Sequence, residues 1–126
     1  MGKSGKKILV VSPHTDDGEL GCGGSIAKFI DDGYDVEYVA LSCCEKSVPP
    51  EYPPDTLSRE VKAATKVLGI KKPILFSYDV REFPRYRQEI LDTLIRLRNK
   101  IQPDIVFTPS RYDTHQDHKT TVEETM

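Results

Sequence analysis

Along this chain, unbroken apolar runs alternate with stretches in which apolar residues recur every three or four positions. Residues 7–12, Lys-Ile-Leu-Val-Val-Ser, are rich in β-branched side chains and do not alternate with polar ones, the pattern of a strand buried on both faces of a parallel sheet. Ser25 to Asp32 places Ile26, Phe29 and Ile30 at helical spacing, with Gly33 as a stop. Val36 to Leu41 restarts the strand pattern. A helix is predicted from Thr56, as its cap, through Val61, Ala64, Thr65 and Leu68 to Gly69. Pro73 to Tyr78 reads as a third strand. Tyr86 to Ile101 carries Ile90, Leu91, Leu94, Ile95, Leu97 and Ile101 as an amphipathic stripe, ended by Pro103-Asp104 before a fourth strand at Ile105 to Thr108.

Strands that alternate with helices predict an α/β fold: a single domain over 1–126, Rossmann-like and three-layered, with a doubly wound, mostly parallel sheet. Ligands in such sheets bind beyond the carboxyl ends of the strands. Here those ends are Ser12-Pro13-His14, Leu41-Ser42, Tyr78-Asp79 and Thr108-Pro109-Ser110. The segment from His118 to Met126 begins a helix and stops, so the pattern is that of an N-terminal portion whose C-terminal part is missing.

Composition narrows the function. With 126 residues, a formal charge of −2 and 37% hydrophobic residues, the chain can enclose one modest core. Its charges are mixed in sign without a basic block, which argues against nucleic acid and for a small-molecule substrate. Lys3, Lys6 and Lys7 precede only four apolar residues, too few for a signal peptide or a membrane span. A cytoplasmic protein is expected, and a homo-oligomer is compatible with the sequence. Three cysteines without C-x-x-C spacing read as reduced, mostly buried thiols, Cys22 included.

Two loops frame the chemistry. Ser42 to Asp55 holds four prolines and neither continues a helix nor joins a central strand; loops this long are often functional, although Tyr52 within it packs more readily on its own prolines than against substrate. Gly21, Gly23 and Gly24 read as a corner that lets the backbone pass a site. A phosphate loop would need the Lys-Ser/Thr that is absent here.

All three histidines fall in two polar clusters at strand ends, His14-Thr15-Asp16-Asp17 and His115-Gln116-Asp117-His118. A working zinc site takes about three ligands from His, Asp, Glu or Cys and keeps one position open. His14, Asp17 and His118 can supply them. Asp16 is then held close without ligating, placed to take a proton from a water that the ion acidifies from ~15.7 toward ~7. His115 can stand beside a reacting carbonyl as a charged donor to the oxyanion, and Asp117 can orient or charge one of the imidazoles. Alone, an Asp-Asp pair is usually a solvated turn and a loop histidine incidental; the weight lies in the constellation.

With these residues the chain resembles the zinc-dependent N-acetylglucosaminyl deacetylases of the PIG-L or LmbE-like type. Their signatures, His-Pro-Asp-Asp-Glu before a Gly-Gly corner and His-x-Asp-His, stand here as His14-Thr15-Asp16-Asp17-Gly18 before Gly23-Gly24 and as His115-Gln116-Asp117-His118. The resemblance implies zinc on His14, Asp17 and His118, Asp16 as general base, and His115 stabilising the tetrahedral intermediate with Asp117 tuning it. It also implies sugar contacts at Arg59 and Asp79; the bland alternatives are a solvated helix-terminal charge and a turn residue. Thr15 in place of proline loosens the corner, and Gly18 in place of glutamate removes an acceptor near the ligands. The activity implied is removal of an N-acetyl group from an amino sugar or sugar conjugate by Zn2+, or by Fe2+, since His2Asp sites accept both. Two rivals stand beside it. A metal-dependent phosphoesterase would often use two ions, and a non-catalytic Rossmann-like binding fragment would retain metal without turnover.

Overall fold

The computed structural model describes residues 6–14, 17–42, 48–70, 72–109 and 115–126, with the backbone alone for 17–22. In chain order the elements are β1 (Lys7–Ser12), α1 (Asp17–Asp31), β2 (Asp35–Ala40), α2 (Thr56–Leu68), β3 (Ile74–Leu75), a 3-10 turn (Phe83–Tyr86), α3 (Arg87–Ile101), β4 (Ile105–Phe107) and α4 (Gln116–Thr125). The four strands pair in parallel in the order β3-β2-β1-β4, which is the α/β architecture expected.

β1 lacks polar alternation because both of its faces are covered. Successive side chains of a strand point to opposite faces. Ile8 and Val10 pack with Ile26, Tyr38, Val61 and Ile70 in one cluster, while Leu9 and Val11 pack with Val39, Leu41, Phe83, Ile90, Leu94 and Leu97 in the other. α1 and α2 therefore close one side of the sheet and α3 the other, giving three layers. The stripe on α3 delivers Ile90, Leu94, Leu97 and Ile101 to that second core.

Several boundaries differ from the sequence reading. α1 begins at Asp17 rather than Ser25, so Gly21, Gly23 and Gly24 are helical and form no corner. Each glycine disfavours a helix by about 1 kcal/mol relative to alanine, and packing overrides it: a Cβ on Gly23 would lie 3.9 Å from Leu68 Cδ2 on α2. Thr56 opens α2 without capping it; its hydroxyl donates to Pro53 O at 2.7 Å, and the N-cap residue is Asp55. β3 is confined to two residues, yet the backbone follows β2 farther, with Phe76 N–H donating to Ala40 O and Tyr78 N–H to Leu41 O. α3 starts after the 3-10 turn and ends on Gln102 in the left-handed conformation, φ 53°. In β4, Ile105 and Val106 are 37% and 40% exposed. Gly33 and Gly69 stop their helices as read, with φ 92° and 98°.

The strand order fixes where a ligand can sit. The chain winds outward from β1 to β2 and β3, then α3 carries it back to the far side of β1 as β4. Winding reverses between β1 and β4, and open α/β sheets bind ligands in the crevice beyond the carboxyl ends of the strands at such a reversal. His14 follows β1 by two residues, and His115 opens the helix that follows β4.

Candidate metal centre

The three imidazoles meet at that reversal. His14 lies 5.1 Å from His115 and 5.4 Å from His118 between ring centroids, and His115 lies 4.8 Å from His118. Thus the two clusters, about a hundred residues apart in sequence, form one patch. His14 is held from behind: Ser12 Oγ donates to its carbonyl at 2.5 Å, Tyr38 Oη donates to Ser12 Oγ at 3.4 Å, and the edge of Phe83 faces the imidazole.

Asp117 is the anchor of the patch. Its side chain is completely buried, and burying an isolated carboxylate costs several kcal/mol unless donors surround it. Three donors do. His14 Nε2–H donates to Oδ2 at 2.8 Å, Arg81 N–H to Oδ2 at 2.6 Å, and Phe83 N–H to Oδ1 at 3.2 Å. Asp117 also lies in the first turn of α4, where the helix dipole favours negative charge. The sequence placed Asp117 near an imidazole without saying which; the partner is His14, from the other motif.

His115 is the N-cap of α4, with Nδ1 accepting the backbone N–H of Asp117 at 3.1 Å. An accepting Nδ1 bears no proton, so the neutral ring carries its hydrogen on Nε2. The same logic applies in reverse to His14, whose Nε2–H donates and whose Nδ1 keeps its lone pair.

Donor chemistry fits a metal ion. His14, His115 and Asp117 offer ligand atoms that all lie within 4.8 Å of one another, and imidazole nitrogen with carboxylate oxygen is a donor set that zinc and iron both take. Of the expected ligands this group contains His14; His118 lies beside it, its ring centroid 5.4 Å from that of His14. The Asp17 side chain and the whole of Asp16, with Thr15, lie outside the described residues, as do the side chains of Gly18 to Cys22. Arg59 pairs with Asp55 at 3.3 Å, both well exposed, one turn apart on α2. Asp79 is half-buried and accepts Tyr86 Oη–H at 3.5 Å. It opens the turn that Asp117 grips. Tyr52 is exposed.

The sequence reading missed that turn. Arg81 adopts φ 69°, a left-handed conformation, and α4 holds both of its peptide groups: its N–H donates to Asp117 and its carbonyl accepts from Gln116 Nε2 at 2.6 Å. Nothing in Asp79-Val80-Arg81-Glu82 announces this geometry, because neither glycine nor asparagine occupies the left-handed position.

The family described as PIG-L, GlcNAc-PI de-N-acetylase, matches residues 9–126. Diacetylchitobiose deacetylase of Thermococcus kodakarensis is 32% identical over 122 residues, covering 90% of this chain and 45% of that protein. Among solved structures, N,N'-diacetylchitobiose deacetylase from Pyrococcus horikoshii superposes with a TM-score of 0.82 at 32% identity, over 94% of this chain and 47% of that one. GalB, the 4-carboxy-2-hydroxymuconate hydratase of Pseudomonas putida KT2440, superposes at 0.78 with 27% identity, over 95% and 54%. The chain spans about half the length of the relatives it matches.

Proposed function

The chain belongs to the PIG-L, GlcNAc-PI de-N-acetylase, family, and from that premise we propose that it is a zinc-dependent hydrolase that removes an N-acetyl group from an amino sugar or sugar conjugate. The observation that carries the proposal is the meeting of His14, His115 and His118 around the buried Asp117 carboxylate at the winding reversal of the sheet.

His14, Asp17 and His118 would hold the ion, zinc or alternatively iron. When bound, the ion supplies polarisation of the amide carbonyl and acidification of the attacking water. Asp117 accepts the Nε2–H of His14, which fixes the tautomer and leaves Nδ1 as the donor atom, the usual support for a ligating imidazole. Asp16 takes the proton of the attacking water and returns it to the leaving amine. His115, with Nδ1 accepting the Asp117 N–H, offers Nε2–H to the developing oxyanion. Arg59 and Asp79 are proposed sugar contacts, and Asp79 is the better supported because its turn is tied to Asp117. We place the reaction in the cytoplasm, as expected from the sequence.

A second reading is favoured by the hydratase relative. The same centre would then direct water to an unsaturated carboxylic acid instead of an amide. Metal content and acetate release from N,N'-diacetylchitobiose, compared for wild type, His14→Ala and His118→Ala, separate the possibilities. The deacetylase reading expects one equivalent of metal and acetate release in wild type, and loss of both in each variant. Metal without acetate release, together with hydration of an unsaturated dicarboxylate, would transfer the assignment to the second reading. A chain that takes up neither zinc nor iron refutes both.

A further inference from the structure

We propose that Arg81, whose backbone is held beside the imidazole patch, is a substrate-anchoring residue whose guanidinium binds an anionic group, phosphate or carboxylate, on the sugar conjugate. The inference rests on the hydrolase reading for the identity of the sugar, but its evidence is separate.

Two non-glycine residues have positive φ among the described residues, Gln102 and Arg81. Gln102 is accounted for as the residue that closes α3. Arg81 closes no helix, and a left-handed conformation costs a Cβ-bearing residue roughly 1–2 kcal/mol. It persists because Asp117 holds its N–H and Gln116 its carbonyl. Strain of this kind, held in place by surrounding structure, gathers at ligand-binding sites. The clamp also fixes position: Arg81 N lies 2.6 Å from the Asp117 oxygen that faces His14, so the arginine arm starts beside the patch.

Among the described residues, the charge on that arm has no counterpart. Arg81 is exposed, and its guanidinium has no hydrogen-bond or ion-pair partner among the described residues. Every other described arginine has one: Arg59 with Asp55, Arg85 with Glu82, Arg87 with Glu123 and Glu124, Arg96 with Thr93, and Arg98 with Asn99. Carboxylates near Arg81 are engaged elsewhere, Glu82 by Arg85, Asp79 by Tyr86, and Asp117 by His14 and two backbone N–H groups. A planar guanidinium fork on a fixed backbone, without a partner among the described residues, suits an oxyanion.

The test is calorimetric binding of N-acetylglucosamine 6-phosphate and of N-acetylglucosamine to wild type, Arg81→Gly and Arg81→Lys, with acetate release followed in the same samples. Glycine tolerates the left-handed backbone, so it removes the arm without disturbing the clamp. Wild type is expected to bind the phosphorylated sugar at least about tenfold more tightly than the neutral one. Arg81→Gly should reduce that preference to about twofold while leaving neutral-sugar affinity unchanged, and Arg81→Lys should recover part of it. A wild type with no preference, or a glycine variant that keeps it, overturns the proposal. Preference without acetate release would leave the anion site standing and remove the hydrolase reading; acetate release without preference would do the reverse.

Discussion

A fully buried carboxylate has to be matched by donors, and at Asp117 those donors come from two separate parts of the chain: His14 after β1, and Arg81 and Phe83 in the turn before α3. Asp117→Asn tests what this matching does. The amide offers one accepting oxygen and turns an N–H2 toward at least one donor, so a buried group loses its partner at a cost of about 1–3 kcal/mol. His14 loses the acceptor that orients it, and loss of such support typically lowers metal affinity about 10–100-fold. A lower urea midpoint and a weaker zinc titration are the expected results; if both matched wild type, Asp117 would be neither anchor nor orienter. At this scale the sequence was legible where a residue's chemistry is unusual. Three histidines confined to two polar clusters pointed to one centre, and the structure brings all three together. The pairing of Asp117 with His14 was not legible, because it depends on which strands become neighbours. Nor was the Arg81 turn, whose backbone shape is imposed by Asp117 and Gln116 rather than by its own residues.

At the scale of elements, periodicity was reliable where burial is one-sided or complete, as on α3 and β1, and failed where packing overrules propensity. α1 extends through a glycine-rich stretch that reads as a corner, since helix propensity takes no account of the contacts that α1 makes with β1, β2 and α2. β3 is two residues long and, among the described residues, lies at the sheet edge, paired with β2. Two glycines with opposite roles make this measurable. Gly69 closes α2 at φ 98°, and a Cβ there would stand 3.2 Å from Ile30 Cγ2; Gly69→Ala is expected to cost about 1–2 kcal/mol from the left-handed backbone alone. Gly24 lies inside α1 with nothing within 4 Å of a would-be Cβ, so Gly24→Ala should stabilise by roughly 0.5–1 kcal/mol. Thermal melts should therefore move in opposite directions for the two substitutions. A Gly24→Ala melt that falls would mean that the helix around it is held in a geometry that glycine alone permits.

For the whole molecule, the fold class followed from the alternation of strands and helices, but the strand order did not, and the order is what creates the site. With β4 beside β1, the candidate metal centre draws on both ends of the described chain, His14 after the first strand and His115 and His118 at the last helix. An ion held there would link β1 to α4 across the open side of the sheet, where Ile105 and Val106 of the edge strand remain partly exposed. A ligand that binds only the folded state stabilises it by mass action, about 2.7 kcal/mol at a hundredfold excess over the dissociation constant. Zinc should accordingly raise the melting temperature of the wild-type chain, and a chelator should return it to the metal-free value. His14→Ala should melt at one temperature with or without zinc, because removing one ligand from either end dissolves the link. If zinc raised the melting point of His14→Ala as much as that of wild type, the ion would be bound elsewhere, and the two motifs would share a place in the fold without sharing a metal.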